Sequence, residues 1–156
     1  MKLIALTLLT GALAMSAELA TKKSLTLAVA KQMAAAAEQE ASANKWNVVI
    51  AILDDGGHLI YLQRMDETQI GSVDVAQQKA QSAVKFKRPT KVFEDALAGG
   101  RQAILKLPGA IPVEGGLPIV VDGKVLGAIG VSGVTSQQDG QIAKAGVDAL
   151  AKILGR

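Results

Sequence analysis

Residues 114–133 read EGGLPIVVDGKVLGAIGVSG: two apolar, β-rich runs, the turn that joins them, and six glycines. An Asp122-Gly123 pair between residues 117–121 and 124–132 is the strongest short-range signal for a two-residue hairpin, because both turn positions need φ > 0. Along the second run, a period of two puts Val125, Gly127, Ile129 and Val131 on one face. Leu126, Ala128, Gly130 and Ser132 fall on the other. Both faces are apolar or nearly so, which predicts a strand in the middle of a sheet covered on both sides. The small face of Ala128, Gly130 and Ser132 is expected to pack closely on the equally small helical stripe Ala145, Gly146 and Ala149.

Outward from this hairpin, the C-terminal side begins with Ser136-Gln137-Gln138-Asp139, an S-x-x-D form of capping box. It opens a final helix whose inward stripe is Ile142, Ala145, Gly146, Ala149, Leu150 and Ile153. On the N-terminal side, residues 101–116 contain Pro108, Gly109 and Pro112 and predict an irregular connection with at most one short edge strand. Residues 72–87 return to helical spacing with Val73, Ala76, Ala80, Ala83 and Val84 inward. Pro89 breaks that helix before a shorter one over 90–97, closed by Gly99-Gly100. Further back, WNVVIAIL at 46–53 and HLIYLQRM at 58–65 flank the turn Asp54-Asp55-Gly56-Gly57 and predict a first hairpin. On its second strand, His58, Ile60, Leu62 and Arg64 share one face by alternation. Residues 24–43 are alanine-rich and carry Leu25, Ala28, Val29, Met33, Ala36 and Ala37 on one helical stripe. Tight turns between consecutive strands make them antiparallel, so the order predicts an α+β domain with helices covering the sheet. There is no internal repeat, low-complexity tract or linker.

The chain has 156 residues and is 49% hydrophobic, enough for one core and too short for two ordinary domains. Met1-Lys2, an apolar run over 3–14 and small residues to Ser16 fit a secretory signal peptide over residues 1–16. A single domain over 17–156 then follows, with a periplasmic or secreted location. The apolar run is well short of the roughly 20 residues that span a bilayer, so no stable membrane anchor is expected. Net charge is only +3, and its densest cluster, Lys85-Phe86-Lys87-Arg88, has no second aromatic stripe beside it. That argues against nucleic acid as a partner. The absence of cysteine excludes disulfides, thiol catalysis, iron–sulfur clusters and cysteine-ligated metal.

His58 is the single histidine, so a two-histidine metal site is ruled out and one imidazole per chain is left. It reads either as a solvated structural residue or as a ligand. Asp54 and Asp55 form a carboxylate pair or simple turn chemistry. Arg64 and Asp66 lie two apart on a strand and suit an ion pair with each other or recognition of an anionic group. Gly115-Gly116 suits close approach of a ligand to the backbone or a bend into the strand. No phosphate-binding glycine fingerprint and no nucleophile–base–acid set is assembled.

Three stretches, DDGGHLIYLQRMD at 54–66, GGLPI at 115–119 and GAIGVSG at 127–133 followed by Gln138-Asp139, together resemble the GlcG-like and HbpS-like haem-binding proteins. That family also occurs as the C-terminal domain of PduO-type corrinoid adenosyltransferases. The resemblance covers the chain from Leu25 onward and implies a profilin-like five-stranded antiparallel sheet, homo-oligomers and haem or a related tetrapyrrole as ligand. The chain departs from the family pattern in two places: Glu67-Thr68 stands where a glycine and a small residue are expected, and Gly140 where an acid is expected.

With the ligand class taken from the resemblance, His58 is the metal and axial-ligand candidate, since no other side chain here ligates iron as well as a neutral imidazole. Arg64, Gly115 and Gly116 are the accompanying cofactor-binding candidates, and Tyr61, a methionine or Thr68 are weaker alternatives for the iron. The implied function is an exported haem-binding protein in haem handling or sensing. An enzyme on a small metabolite, with Arg64 holding a carboxylate and Glu114 or Asp54 moving a proton, is the competing reading. A structural or regulatory oligomer is the third.

Overall fold

The computed structural model describes residues 17–156; the signal peptide expected over residues 1–16 lies outside the described residues. The elements are α1 (Leu27–Ala43), β1 (Val49–Asp54), β2 (Leu59–Arg64), α2 (Ser72–Phe86), α3 (Lys91–Ala98), a 3-10 turn (Gln102–Lys106), β3 (Gly116–Val121), β4 (Lys124–Ser132) and α4 (Ser136–Ile153). The described strands form one antiparallel sheet in the order β2-β1-β4-β3. The expected α+β architecture holds, with four strands among the described residues in place of the five expected. The edge strand allowed for in residues 101–116 is absent: Pro108 and Pro112 have no amide to give a ladder, Gly109 turns at φ 81°, and the segment winds into the 3-10 turn instead.

The two strands whose residues are apolar on both faces, β1 and β4, occupy the middle. On one face α1 and α4 close over Ile50, Ile52, Ile119, Ile129 and Val131, all fully buried; α2 closes over Val49, Ala51, Leu53 and Ala128 on the other. Asp122 and Gly123 turn the central hairpin with φ 51° and 75°, the doubly positive pair that the Asp-Gly signal requires.

Alternation fails at two places. The β1–β2 register runs from Ile52 opposite Tyr61 to Leu53 opposite Leu59, leaving Ile60 as an extra residue, and the β3–β4 register skips Leu126 in the same way. Each extra residue makes a bulge and reverses the parity beyond it. Ile60 therefore packs with the α1/α4 cluster, while Leu62 packs on the α2 side, so the shared face expected for both does not form. Likewise Leu126 joins Ile129 and Val131, and Val125 goes to the α2 side.

The small face of β4 meets α2 and not α4. A Cβ on Gly130 would collide with the carbonyl oxygen of Ala76 and lie 2.7 Å from the amide of Ala80, and Ser132 Oγ lies 3.3 Å from Ser72 Oγ. Gly146 of α4 packs instead on Ile129, Met33 and Ala37. Helices lie on both sides of β4, and the strand's period of two marks which face is small without marking which helix reaches it. The α1 stripe is also rotated from the expected one, to Ala30, Met33, Ala34, Ala37 and Ala41, with Ala28 exposed. The α4 cap is Thr135, which accepts the Gln138 amide while Gln138 reaches back to the Thr135 amide; this frees Asp139 to turn inward.

Candidate functional site

The turn between β1 and β2 is built around one carboxylate. Asp54 Oδ1 accepts the amides of Gly56 at 2.9 Å and His58 at 2.8 Å, and the Asp54 amide donates back to the His58 carbonyl at 2.9 Å. These bonds, that from His58 foremost, hold the Asp54 carboxyl below its ordinary value. His58 precedes β2, and its ring stands 82% exposed with Nδ1 3.4 Å from Asp54 Oδ1. Gly56 makes that contact possible, because a Cβ there would lie 2.8 Å from Nδ1 and 3.2 Å from the carboxylate oxygen. The result is an exposed imidazole with one nitrogen beside a carboxylate and the other facing away from it. Asp55, the second member of the pair, makes an exposed ion pair with Lys22 at 2.7 Å.

Arg64 sits at the far end of β2, opposite Val49, about 20 Å from His58 at roughly 3.3 Å of strand rise per residue. It lines a shallow, polar pocket of about 350 Å³ with Glu38, Asn47 and Asp66. Arg64 and Asp66 share this pocket without an ion pair among the described residues. The hydroxyl of Tyr61 donates to Gln63 at 3.1 Å, and that of buried Thr68 donates to the Met65 carbonyl at 2.8 Å.

Gly115 and Gly116 lie at the start of β3, three strands across the sheet from β2. Gly115 has φ 124°, and a Cβ there would come within 2.7 Å of the Val131 carbonyl oxygen and 2.9 Å of Lys79 Nζ. A Cβ on Gly116 would strike the Lys79 carbonyl, while its amide donates to Thr90 Oγ1 at 3.0 Å. Both glycines let β3 pass tight against α2. Glu114 beside them packs into the space left by Gly140, near Lys91 and Glu94, and burial pushes its carboxyl up. A single chain therefore keeps His58, Arg64 and the glycine pair apart.

One polar feature escaped the sequence reading. Lys79, on the inward face of α2, is sealed from solvent and pairs with Asp139 of α4 at 2.7 Å. The signal was its spacing: Lys79 follows Ala76 by three and precedes Ala83 by four, which is an inward position for a charged residue. Burial pushes the Asp139 carboxyl up against the opposing pull of Lys79 and of the Val134 amide.

Residues 25–148 match the family model described as haem degrading protein HbpS-like. Protein GlcG of Escherichia coli K12 is 44% identical over 112 residues, covering 72% of this chain and 84% of that protein. The crystal structure of Klebsiella pneumoniae protein ORFY, 34% identical, superposes with a TM-score of 0.82 over 88% of this chain and 98% of its own. PduOC, solved as a complex with haem, is 28% identical, with a TM-score of 0.75 over 81% of this chain and 95% of its own.

Proposed function

The chain belongs to the HbpS-like family, and from that premise we propose that it binds haem as a homo-oligomer, with the His58 imidazole as axial ligand. The observation that carries the reading is that a relative sharing this fold at 28% identity was solved holding haem. The donor set suits the group. A lone imidazole with a carboxylate beside it is a common protein ligand to haem iron, and here the Asp54 carboxylate lies 3.4 Å from Nδ1, leaving the other ring nitrogen for the metal. Haem, when bound, supplies an iron centre whose potential and reactivity follow from that axial ligand and from exposure to water. A single chain leaves His58 in solvent, and β2 beside it is a sheet edge with half-buried side chains. In this reading a second copy covers that edge and closes an aliphatic wall over the haem, since the whole chain has only two Phe, one Trp and one Tyr to offer.

A haemin titration of wild type and His58→Ala, followed at the Soret band together with the oligomeric state, tests the reading. A shifted, saturable band lost in His58→Ala supports it. Identical spectra transfer the ligation to another residue, and no saturable band in either protein ends it. The polar pocket around Arg64 favours a second reading, an anionic metabolite held by the guanidinium; Arg64→Ala would then abolish metabolite binding and leave the Soret band intact. Export is part of the proposal, with cleavage between Ala14 and Glu18 motivated by the ordering of Lys2, the apolar run and the small residues. Intact mass of protein recovered from outside the cytoplasm decides it, and a full-length mass there would refute it.

A further inference from the structure

Where Asp122 and Gly123 turn the central hairpin, a cavity of about 430 Å³ opens between that turn, the start of α1 and the end of α4. Its wall is aliphatic, made by Leu25, Val29, Val121, Leu126, Leu150 and Leu154. Its mouth is positive for two independent reasons. Lys23 Nζ and Arg156 Nη1 approach Asp122 at 2.7 and 2.8 Å, so two side-chain cations share a single side-chain carboxylate. A second lobe of about 260 Å³ that shares Lys23, Val121 and Leu126 adds Lys124, while its Lys22 is already paired with Asp55. The 17-residue helix α1 also begins here: Thr26 caps the Val29 amide, and no acidic residue in the first turn offsets the positive end of the helix. The volume lies in the range of about 300–1,000 Å³ typical of small-molecule sites.

This combination selects among ligands. A cation meets a like-charged rim, and a small hydrophilic anion has no use for six aliphatic walls. We propose that this cavity binds an amphipathic anion, an unbranched aliphatic carboxylate whose chain lies along Leu126 and Leu150 and whose head group meets Lys23 and Arg156. His58 lines neither lobe, although Lys22 of the second lobe pairs with Asp55 in the turn that carries His58, and the proposal does not depend on haem binding.

Calorimetric titration with decanoate, decylammonium and decanol, each kept below its micelle-forming concentration, tests it. Decanoate binds saturably, decanol more weakly, and decylammonium not at all. Lys23→Gln with Arg156→Gln, both exposed positions, weakens decanoate at least tenfold, and Val29→Phe, which fills the cavity, abolishes binding. Should Val29→Phe fail to fold, the Gln pair alone still decides. No decanoate binding, equal binding of decylammonium, or an unchanged affinity in the Gln pair overturns the proposal. His58→Ala leaves decanoate affinity unchanged; loss of binding in that variant, or displacement by haemin, would instead place the carboxylate in the haem site and equally overturn it.

Discussion

Lys79 Nζ lies 2.7 Å from Asp139 Oδ2, with the two side chains only 1% and 3% exposed. The same ammonium donates to the Val131 carbonyl at 3.0 Å, so one charged group ties α2, β4 and α4 together beneath the Gly115 bend. Removing one partner of a buried pair strands the other's charge, which costs about 3–5 kcal/mol, whereas replacing both with apolar groups of similar volume is often near neutral. Lys79→Met and Asp139→Leu should each lose about that much in urea unfolding, and the double variant should recover most of the loss. Single-variant losses below about 1 kcal/mol would mean that the pair is not buried as described.

Gly130→Val should destabilise by at least about 1–3 kcal/mol, because the new side chain meets the backbone of α2 at Ala76 and Ala80, which cannot yield as a flexible side chain would. Gly146→Val, on the α4 side, should be costly through a different partner set, Ile129 and Met33. Thermal melts decide, and an unchanged midpoint for Gly130→Val would refute the α2 contact.

Glu67→Gly should stabilise. Glu67 has φ 61°, a left-handed backbone, at the very position where the family resemblance calls for glycine. Relief of the Cβ penalty outweighs the entropy of the added glycine by on the order of 0.5–1 kcal/mol. A denaturation midpoint lower than that of wild type would contradict this.

The Asp54 turn should respond to acid. Its carboxyl is held below the ordinary value of 3.8, so the folded value lies under the unfolded one. Its contribution is then fully present above that ordinary value and fades as pH falls through the lower folded value. Protection of the Gly56 and His58 amides in hydrogen exchange should persist at pH 5 and fall in strong acid; Asp54→Asn should flatten the dependence. Protection that is independent of pH in wild type would show that the carboxylate does not organise the turn.

Much of this molecule was legible locally. Asp122-Gly123, Asp54 to Gly57, Pro89 and Gly99-Gly100 act through backbone dihedrals and short-range hydrogen bonds, so the hairpins and helix ends could be placed from neighbouring residues alone. The site candidates were legible only as residue types. His58 was identifiable as the lone imidazole after a turn, yet its contact with Asp54 depends on the space at Gly56.

The sequence by itself determined the order of the helices and of the two hairpins, the central place of β4 and the family, because each rests on local pattern or on motifs in series. Only the tertiary structure decided that the small face of β4 meets α2, that Lys79 and Asp139 pair inside, and that bulges at Ile60 and Leu126 reverse the faces beyond them. The physical reason is distance along the chain. Gly130 and Ala76, or Lys79 and Asp139, are dozens of residues apart, and what brings them together is the layering of helices on both faces of the sheet.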